Sequence, residues 1–425
     1  GNKGKMGKGG RSEVTTGKVA IWKSPYNPLD KNAPALPSKG EIKASIPAEC
    51  FQRSGVKSMV LVVRDMVMAT AFVYGTNQIL STEIPSAPLH LALWIVGWST
   101  YAFWMGTIMT GPWVLAHECG HGAFSPSQTF NDFIGFILHQ ALLVPYFAWQ
   151  YTHAKHHRRT NHMMDGESHV PSGKEDNGFG KNMERNSFYA AWHEVMGDDA
   201  FAVFQIWSHL FLGWPLYLFG LASTGKLDQE GKPLNGRIAD HFRPNSPMFP
   251  SKIKAKILLS TLTTIGALAG LCYAMWKFGA VPVICWYWGP YMWVNAWLVL
   301  YTWLQHTDPS VPHYGEGEWT WVRGALSTID RDYGIFDFFH HRIGSTHVVH
   351  HLFHEMPCYN AWKATQAVKT FLEPKGLYNY DPAPWPVALW RIAKTCHYVE
   401  SFEGIQYFKS INDAPKTKDL KSKKA

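Results

Sequence analysis

Charge is scarce in this 425-residue sequence: Asp, Glu, Lys and Arg together make up 17% of it, against roughly 25% in an ordinary soluble domain. Cysteine is scarce too. The six, at positions 50, 119, 272, 285, 358 and 396, include no Cys-x-x-Cys pair, so neither a disulfide framework nor a thiolate zinc site is expected. No internal repeat is visible. With 46% hydrophobic and 15% aromatic residues, the chain is neither disordered, collagen-like nor a coiled coil.

The charge that is present gathers at the ends. Of the net +8, residues 1–57 contribute 11 Lys/Arg against 4 Asp/Glu and residues 409–425 contribute 6 against 2, which leaves the body, 58–408, slightly acidic. These basic residues are scattered among Gly, Pro and Ser rather than set on a helix among aromatics, so no nucleic-acid partner is expected. They suit cytoplasmic tails near an anionic membrane surface.

The mean hydropathy of −0.16 averages over strongly segregated runs. Leu89 to Ala116 and Phe278 to Gln305 each hold 28 residues without a single Asp, Glu, Lys or Arg. A helix of that length spans about 42 Å, more than the ~30 Å hydrocarbon core of a bilayer. Ile257 to Trp276 is a third run, and residues 59–81 a fourth with Arg64 and Asp65 near its start. The connectors Ser81–Pro88 and Lys277 carry little positive charge and read as lumenal turns. The sequence therefore predicts an all-α integral membrane protein. Four transmembrane helices, at about 59–81, 89–116, 257–276 and 278–305, form two hairpins that place both termini and a helical cap in the cytoplasm. Phe133–Trp149, between two clusters that must share one side, is expected to be an interfacial or re-entrant helix, and the more polar Ala200–Thr224 is expected to lie at the interface.

Histidine is the abundant polar residue, with 21 copies. His117 and His121 in HECGH stand four apart directly after a span. His153, His156 and His157 in HAKHH, and His347, His350 and His351 in HVVHH, repeat an i, i+3, i+4 spacing that puts imidazoles on one helical face. One such histidine is unremarkable, but eight in three clusters on one membrane side point to a metal site on facing helices. Eight exceed the needs of one zinc, and nitrogen ligation suits Fe, Zn or Cu, so two ions fit. His306 follows the last span at the depth of His117 and is either a ninth ligand or a capping residue. His162, His169, His313, His340, His341 and His354 lack the repeated spacing and are expected around the site or at the surface. Glu118, Asp132, Asp165, Glu167, Asp332 and Asp337 are candidates to orient the ligands.

The strings AHECGHGAFS, YTHAKHHRRTNH, WLVLYTWLQHTDPSVPHY and IGSTHVVHHLFHEMP resemble the histidine boxes of the membrane-bound fatty acid desaturases, nearest to the plant and algal microsomal oleate (Δ12) enzymes, over roughly residues 45–410. The resemblance implies iron ligands at His117, His121, His153, His156, His157, His306, His347, His350 and His351, and so two Fe ions with O2 as co-substrate. It implies acyl chains esterified in phospholipid as substrate, and electrons from a separate cytochrome b5 and its reductase, since no HPGG haem motif occurs in the chain. The product expected is linoleoyl from oleoyl chains. Thr302 stands where animal acyl-CoA desaturases carry an asparagine that positions a water on one iron, so that contact is not expected. The ending KSKKA fits the dilysine pattern of endoplasmic reticulum membrane proteins.

The chemistry agrees, because an unactivated methylene has no acidic proton and no leaving group and yields only to a metal-bound oxidant. Within the family, ω-3 desaturases and acyl hydroxylases or acetylenases are the competing readings. From another class, HECGH also matches the H-E-x-x-H of zinc proteases, which would leave the other two clusters unexplained.

Overall fold

The computed structural model describes residues 22–81, 87–174, 188–222 and 224–413. Helices dominate it. After the short α1 (Lys39–Ala44), closed by reciprocal bonds between Ser38 and Glu41, come α2 (Gly55–Leu80), α3 (Ala87–Gly120), α4 (Gln128–Ala141), α5 (Tyr146–Arg158) and α6 (Phe188–Leu218). Next are α7 (Lys254–Phe278), the single turn α8 (Ala280–Val283), a π-helical turn at Ile284–Trp288, and α9 (Gly289–His306). The C-terminal part holds β1 (His313–Tyr314), α10 (Trp321–Leu326), α11 (Phe336–Phe339), α12 (His347–Leu352), α13 (Cys358–Leu372), α14 (Trp385–Thr395) and β2 (Ile405–Gln406), with β1 and β2 paired antiparallel. This two-stranded ribbon is a small addition to the all-α expectation.

Among the described residues, two helical stretches are long and apolar enough to cross a membrane, Ala87–Gly120 and Ser251–Phe278, and a third arises if α4 and α5 count as one broken span. The surfaces agree with a lipid setting. Leu89, Leu91, Ile95 and Val96 of α3, and Leu258, Leu262, Ile265 and Trp276 of α7, are exposed, whereas α3 from Met105 to Cys119 is largely buried. A helix apolar all round needs either protein or lipid on every side, and α3 uses each along half its length.

Several boundaries differ from the sequence expectation. Phe133–Trp149 is not one straight helix. It is split between α4 and α5, which meet at 107°, with Leu143 in the left-handed region (φ +54°) and Pro145 opening α5. The corner is tied to α7: the Phe147 N–H donates to Ser260 Oγ (3.1 Å), and Thr264 Oγ1 donates to Gln140 Oε1 (3.0 Å). The 200–224 segment belongs to a longer α6 that is kinked at Gly197 and stops at Leu218. Gly220, at φ +70° and pressed against Ala239, turns the chain away. The last apolar run starts its helix only after Gly279 (φ +89°). Before that break α7 packs on α4 and α5, and beyond it α9 packs on α3 and α6, so the second hairpin splays open. The proposed lumenal link Ser81–Pro88 and the KSKKA ending lie largely or wholly outside the described residues.

The centre is held by close helix approach. A Cβ on Gly106 would stand 2.4 Å from Trp293 Cβ and 2.7 Å from Pro290 O, so α3 and α9 meet nearly backbone to backbone. Below this crossing a fully buried ion network joins α14 to the end of α9. Arg391 Nη2 bonds Asp308 Oδ2 (2.8 Å) and Asp381 Oδ2, and Arg331 Nε bonds Asp381 Oδ2 (3.0 Å). Buried charges persist only when paired in this way. Asp308 is two residues from His306, so the network fixes where α9 releases that histidine.

Candidate metal centre

The three histidine clusters and His306 meet at the ends of four helices. His117 sits in the last turn of α3 and His121 one residue beyond it; His153, His156 and His157 line α5; His306 ends α9; His347, His350 and His351 occupy α12. They form two groups. Ligand atoms of His117, His121, His153, His157 and His350 lie within 4.8 Å of one another, and so do those of His156, His306 and His351. His347 is in neither group by that measure, but its Nε2 is 3.0 Å from His306 Nε2.

The nitrogens face one another. Nε2 atoms approach to 3.2 Å between His117 and His121, His153 and His157, and His156 and His306. A neutral imidazole carries one ring proton, and two contacts dictate where it sits. His156 donates from Nδ1 to the Glu167 carbonyl (2.7 Å). Thr160 gives its hydroxyl proton to the His156 carbonyl (2.8 Å) and so accepts from His351 Nδ1 (2.9 Å). Both rings therefore turn an unprotonated Nε2 inward. The buried Nε2 atoms of His350 and His351 have no hydrogen-bond partner. Desolvation, reinforced by neighbouring imidazoles, holds His121, His347, His350 and His351 well below the usual histidine range. Unprotonated imidazole nitrogens are metal ligands, so the inward-facing His156 and His351, with the two histidine groups around them, fit bound metal.

The supporting contacts were only partly legible in the sequence. Glu118 stands 3.4 Å from His117 Nδ1 through Oε1, and its Oε2 accepts the Cys358 N–H (2.9 Å), a position that ties α13 to the centre. Glu167 acts through its backbone carbonyl. Asp165 pairs with Lys155 and Arg159, and Asp132 with Lys256, while Asp332 and Asp337 line a separate pocket. Sequence reasoning missed Thr160, which could have been noticed one turn after His156, and Asp330, which nothing signals. Asp330 accepts the Val348 N–H (2.8 Å) at the start of α12 and the Tyr378 hydroxyl. His354 packs its ring 4.9 Å from His121 and 5.3 Å from His157.

A cavity of about 160 Å³ touches His153 and His156 and continues between α3, α5, α6 and α9. Trp113, Trp149, Trp214, Trp303, Leu298 and Val299 wall it, and His397 and Phe408 stand at its C-terminal side. Thr302 borders it too, with its hydroxyl turned back to the Leu298 carbonyl (2.9 Å).

Candidate membrane helices joined to two histidine groups that could hold metal define the class: a helical membrane protein with a nitrogen-rich candidate metal centre beside a tryptophan-walled cavity. Residues 92–382 match the family model described as fatty acid desaturase. The chain is 39% identical over 400 residues to the omega-6 fatty acid desaturase, endoplasmic reticulum, of Brassica juncea, covering 93% of this chain and 96% of the relative. It is 39% identical to the Delta(12)-fatty-acid desaturase of Arabidopsis thaliana, covering 93% and 96%. The Delta(12) fatty acid desaturase of Mortierella alpina is 40% identical, covering 87% and 90%. The chain belongs to the fatty acid desaturase family.

Proposed function

We propose that this protein is a membrane-bound Δ12 acyl-lipid desaturase that converts oleoyl to linoleoyl chains in phospholipid. The observation that carries the reading is the pair of adjoining histidine groups that meet beside a tryptophan-walled cavity. The names of relatives from plants and a fungus support the Δ12 position. The nine histidines 117, 121, 153, 156, 157, 306, 347, 350 and 351 hold two iron ions. When bound, iron supplies what no side chain can, an oxidant drawn from O2 that removes hydrogen from unactivated methylenes. The balance is one O2, two electrons and two protons for one cis double bond and two waters. Cytochrome b5 and its reductase deliver the electrons.

The protein's own part is positioning. Thr160, the Glu167 carbonyl and Asp330 hold rings and helix so that Nε2 atoms face inward. Tryptophans and aliphatic side chains of the cavity exclude water and hold one stretch of acyl chain against His153 and His156, which decides the carbon attacked. Membrane placement follows with four crossings by α2, α3, α7 and the α8–α9 unit, α4 and α5 forming a re-entrant corner on the cytoplasmic side, α6 at the interface, and both tails, 1–57 and 409–425, in the cytoplasm flanking the desaturase domain 58–408. The endoplasmic reticulum is the membrane.

Expression in a yeast that makes oleate but not linoleate tests the activity. Linoleate among the fatty acid methyl esters supports it. Hydroxylated or 18:3 product without 18:2 overturns it, and active protein holding one zinc and no iron overturns the two-iron site.

A further inference from the structure

Away from the histidines, a pocket of about 580 Å³ opens between α2, α11 and α13. Its charged lining is balanced, with Arg64 and Arg342 against Asp332 and Asp337. Both guanidinium groups are braced on aromatic faces: Arg64 lies 4.8 Å from the Phe338 ring and Arg342 4.5 Å from the Trp362 ring. Arg64 spends Nε and Nη2 on the buried Asp65 (2.9 and 2.7 Å), which leaves Nη1 for a ligand. Arg342 is only loosely paired, 3.8 Å from Asp337 Oδ2, and the buried Asp337 Oδ1 has no hydrogen-bond partner. Stacking fixes planar forks before a ligand arrives, which is how arginine recognises phosphate.

The backbone is held unusually to achieve this. His341 and Arg342 are consecutive non-glycine residues in the left-handed region, φ +50° and +62°, a conformation that costs energy and needs compensation. His341 supplies it by bonding Asp65 Oδ2 through Nε2 (2.8 Å). Phe338 of α11, which lines the pocket, is exposed, as are Ile335 just before α11 and Val60 and Val67, one helical turn either side of Arg64 on α2, apolar side chains of the kind that meet lipid. On the inner side the pocket shares His341 and Cys358 with a narrow cleft that reaches Glu118 and His350. It therefore adjoins the metal centre.

We propose that this pocket holds the zwitterionic headgroup of a membrane phospholipid, with the phosphate on Arg64 and Arg342 and the cationic amine group on Asp332 and Asp337. An anionic headgroup would leave both carboxylates facing negative charge. Free phosphate would leave the apolar rim unused. The proposal rests on the membrane-lipid reading above, yet its test reads bound lipid rather than turnover, so the two can fail separately.

The full chain is extracted from bilayers containing equal phosphatidylcholine and phosphatidylglycerol, and retained lipid is identified by native mass spectrometry. One phosphatidylcholine per chain is expected. Arg342→Gln, which removes an exposed side chain and leaves the buried Asp65 pair alone, is expected to weaken retention about tenfold, the size of one charge-assisted contact. Arg64→Gln should do the same wherever it folds. Equal or preferred retention of phosphatidylglycerol, displacement by millimolar inorganic phosphate, or unchanged phosphatidylcholine in Arg342→Gln would each overturn the assignment.

Discussion

Thr160→Val isolates the contact that sets the tautomer of a proposed ligand. Thr160 follows His156 by one helical turn, where α5 ends and its last carbonyls lack helical partners. Its hydroxyl satisfies the His156 carbonyl (2.8 Å) and accepts from His351 Nδ1 (2.9 Å), and valine keeps the shape while removing both bonds. A buried N–H left without a partner costs about 1–3 kcal/mol. Free imidazole can avoid that cost by moving its proton to Nε2, but that nitrogen then no longer offers a lone pair to a metal. The same energy expressed as affinity is about 10- to 100-fold, the usual effect of removing a group that orients a histidine ligand. The assay is iron retention by the purified full chain against a graded chelator, with Thr160→Ser as a control that keeps the hydroxyl. The valine variant should release iron at about 10- to 100-fold lower chelator, and the serine variant should follow the parent. Parental retention in folded Thr160→Val would refute the argument that this hydroxyl fixes the ring.

Three further outcomes are expected. Asp381→Asn leaves two buried guanidinium groups sharing Asp308 alone, which should cost about 3–5 kcal/mol and lower the melting temperature by several degrees, whereas Glu49→Gln, at the exposed Lys363 pair, should leave melting unchanged. His397 accepts the Ile411 N–H at Nδ1 (2.8 Å) and donates from Nε2 to Ala393 O (3.1 Å), and burial pushes it down to about 4. The unfolded chain takes up this proton near 6.5 and the folded chain does not, so stability is complete above pH ~6.5 and falls by about 3 kcal/mol as pH drops to ~4; His397→Gln should flatten part of that decline in thermal melts. Gly213→Phe, at a glycine lining the cavity against Val299, should cut oleoyl turnover more than about tenfold by blocking acyl placement while iron content stays at the parental level; lost iron would show that the cavity wall and the metal centre are not separable.

Local periodicity carries some features and not others. HAKHH and HVVHH are readable because the 3.6-residue repeat makes i, i+3 and i+4 neighbours whatever surrounds them, and α5 and α12 present them so. The 28-residue uncharged runs are readable because hydrocarbon tolerates no other composition. The corner at Leu143 and Pro145 was hidden, since an apolar stretch of 17 residues has the same composition whether straight or bent. The opening of the second hairpin was hidden because it depends on which neighbour each helix finds after Gly279.

By itself, then, the sequence determined the helical membrane character, the three histidine clusters and the resemblance that names the family, because each is written in spacing or composition along the chain. Tertiary structure alone decided that eight imidazoles fall into two groups with His347 beside His306, and that Thr160 and Asp330 hold His351 and the start of α12 in place. It also brought two arginines and two aspartates to one pocket beside the metal centre. These are contacts across up to 277 positions, as between Arg64 and His341, and long-range geometry of that kind leaves no period in the sequence to read.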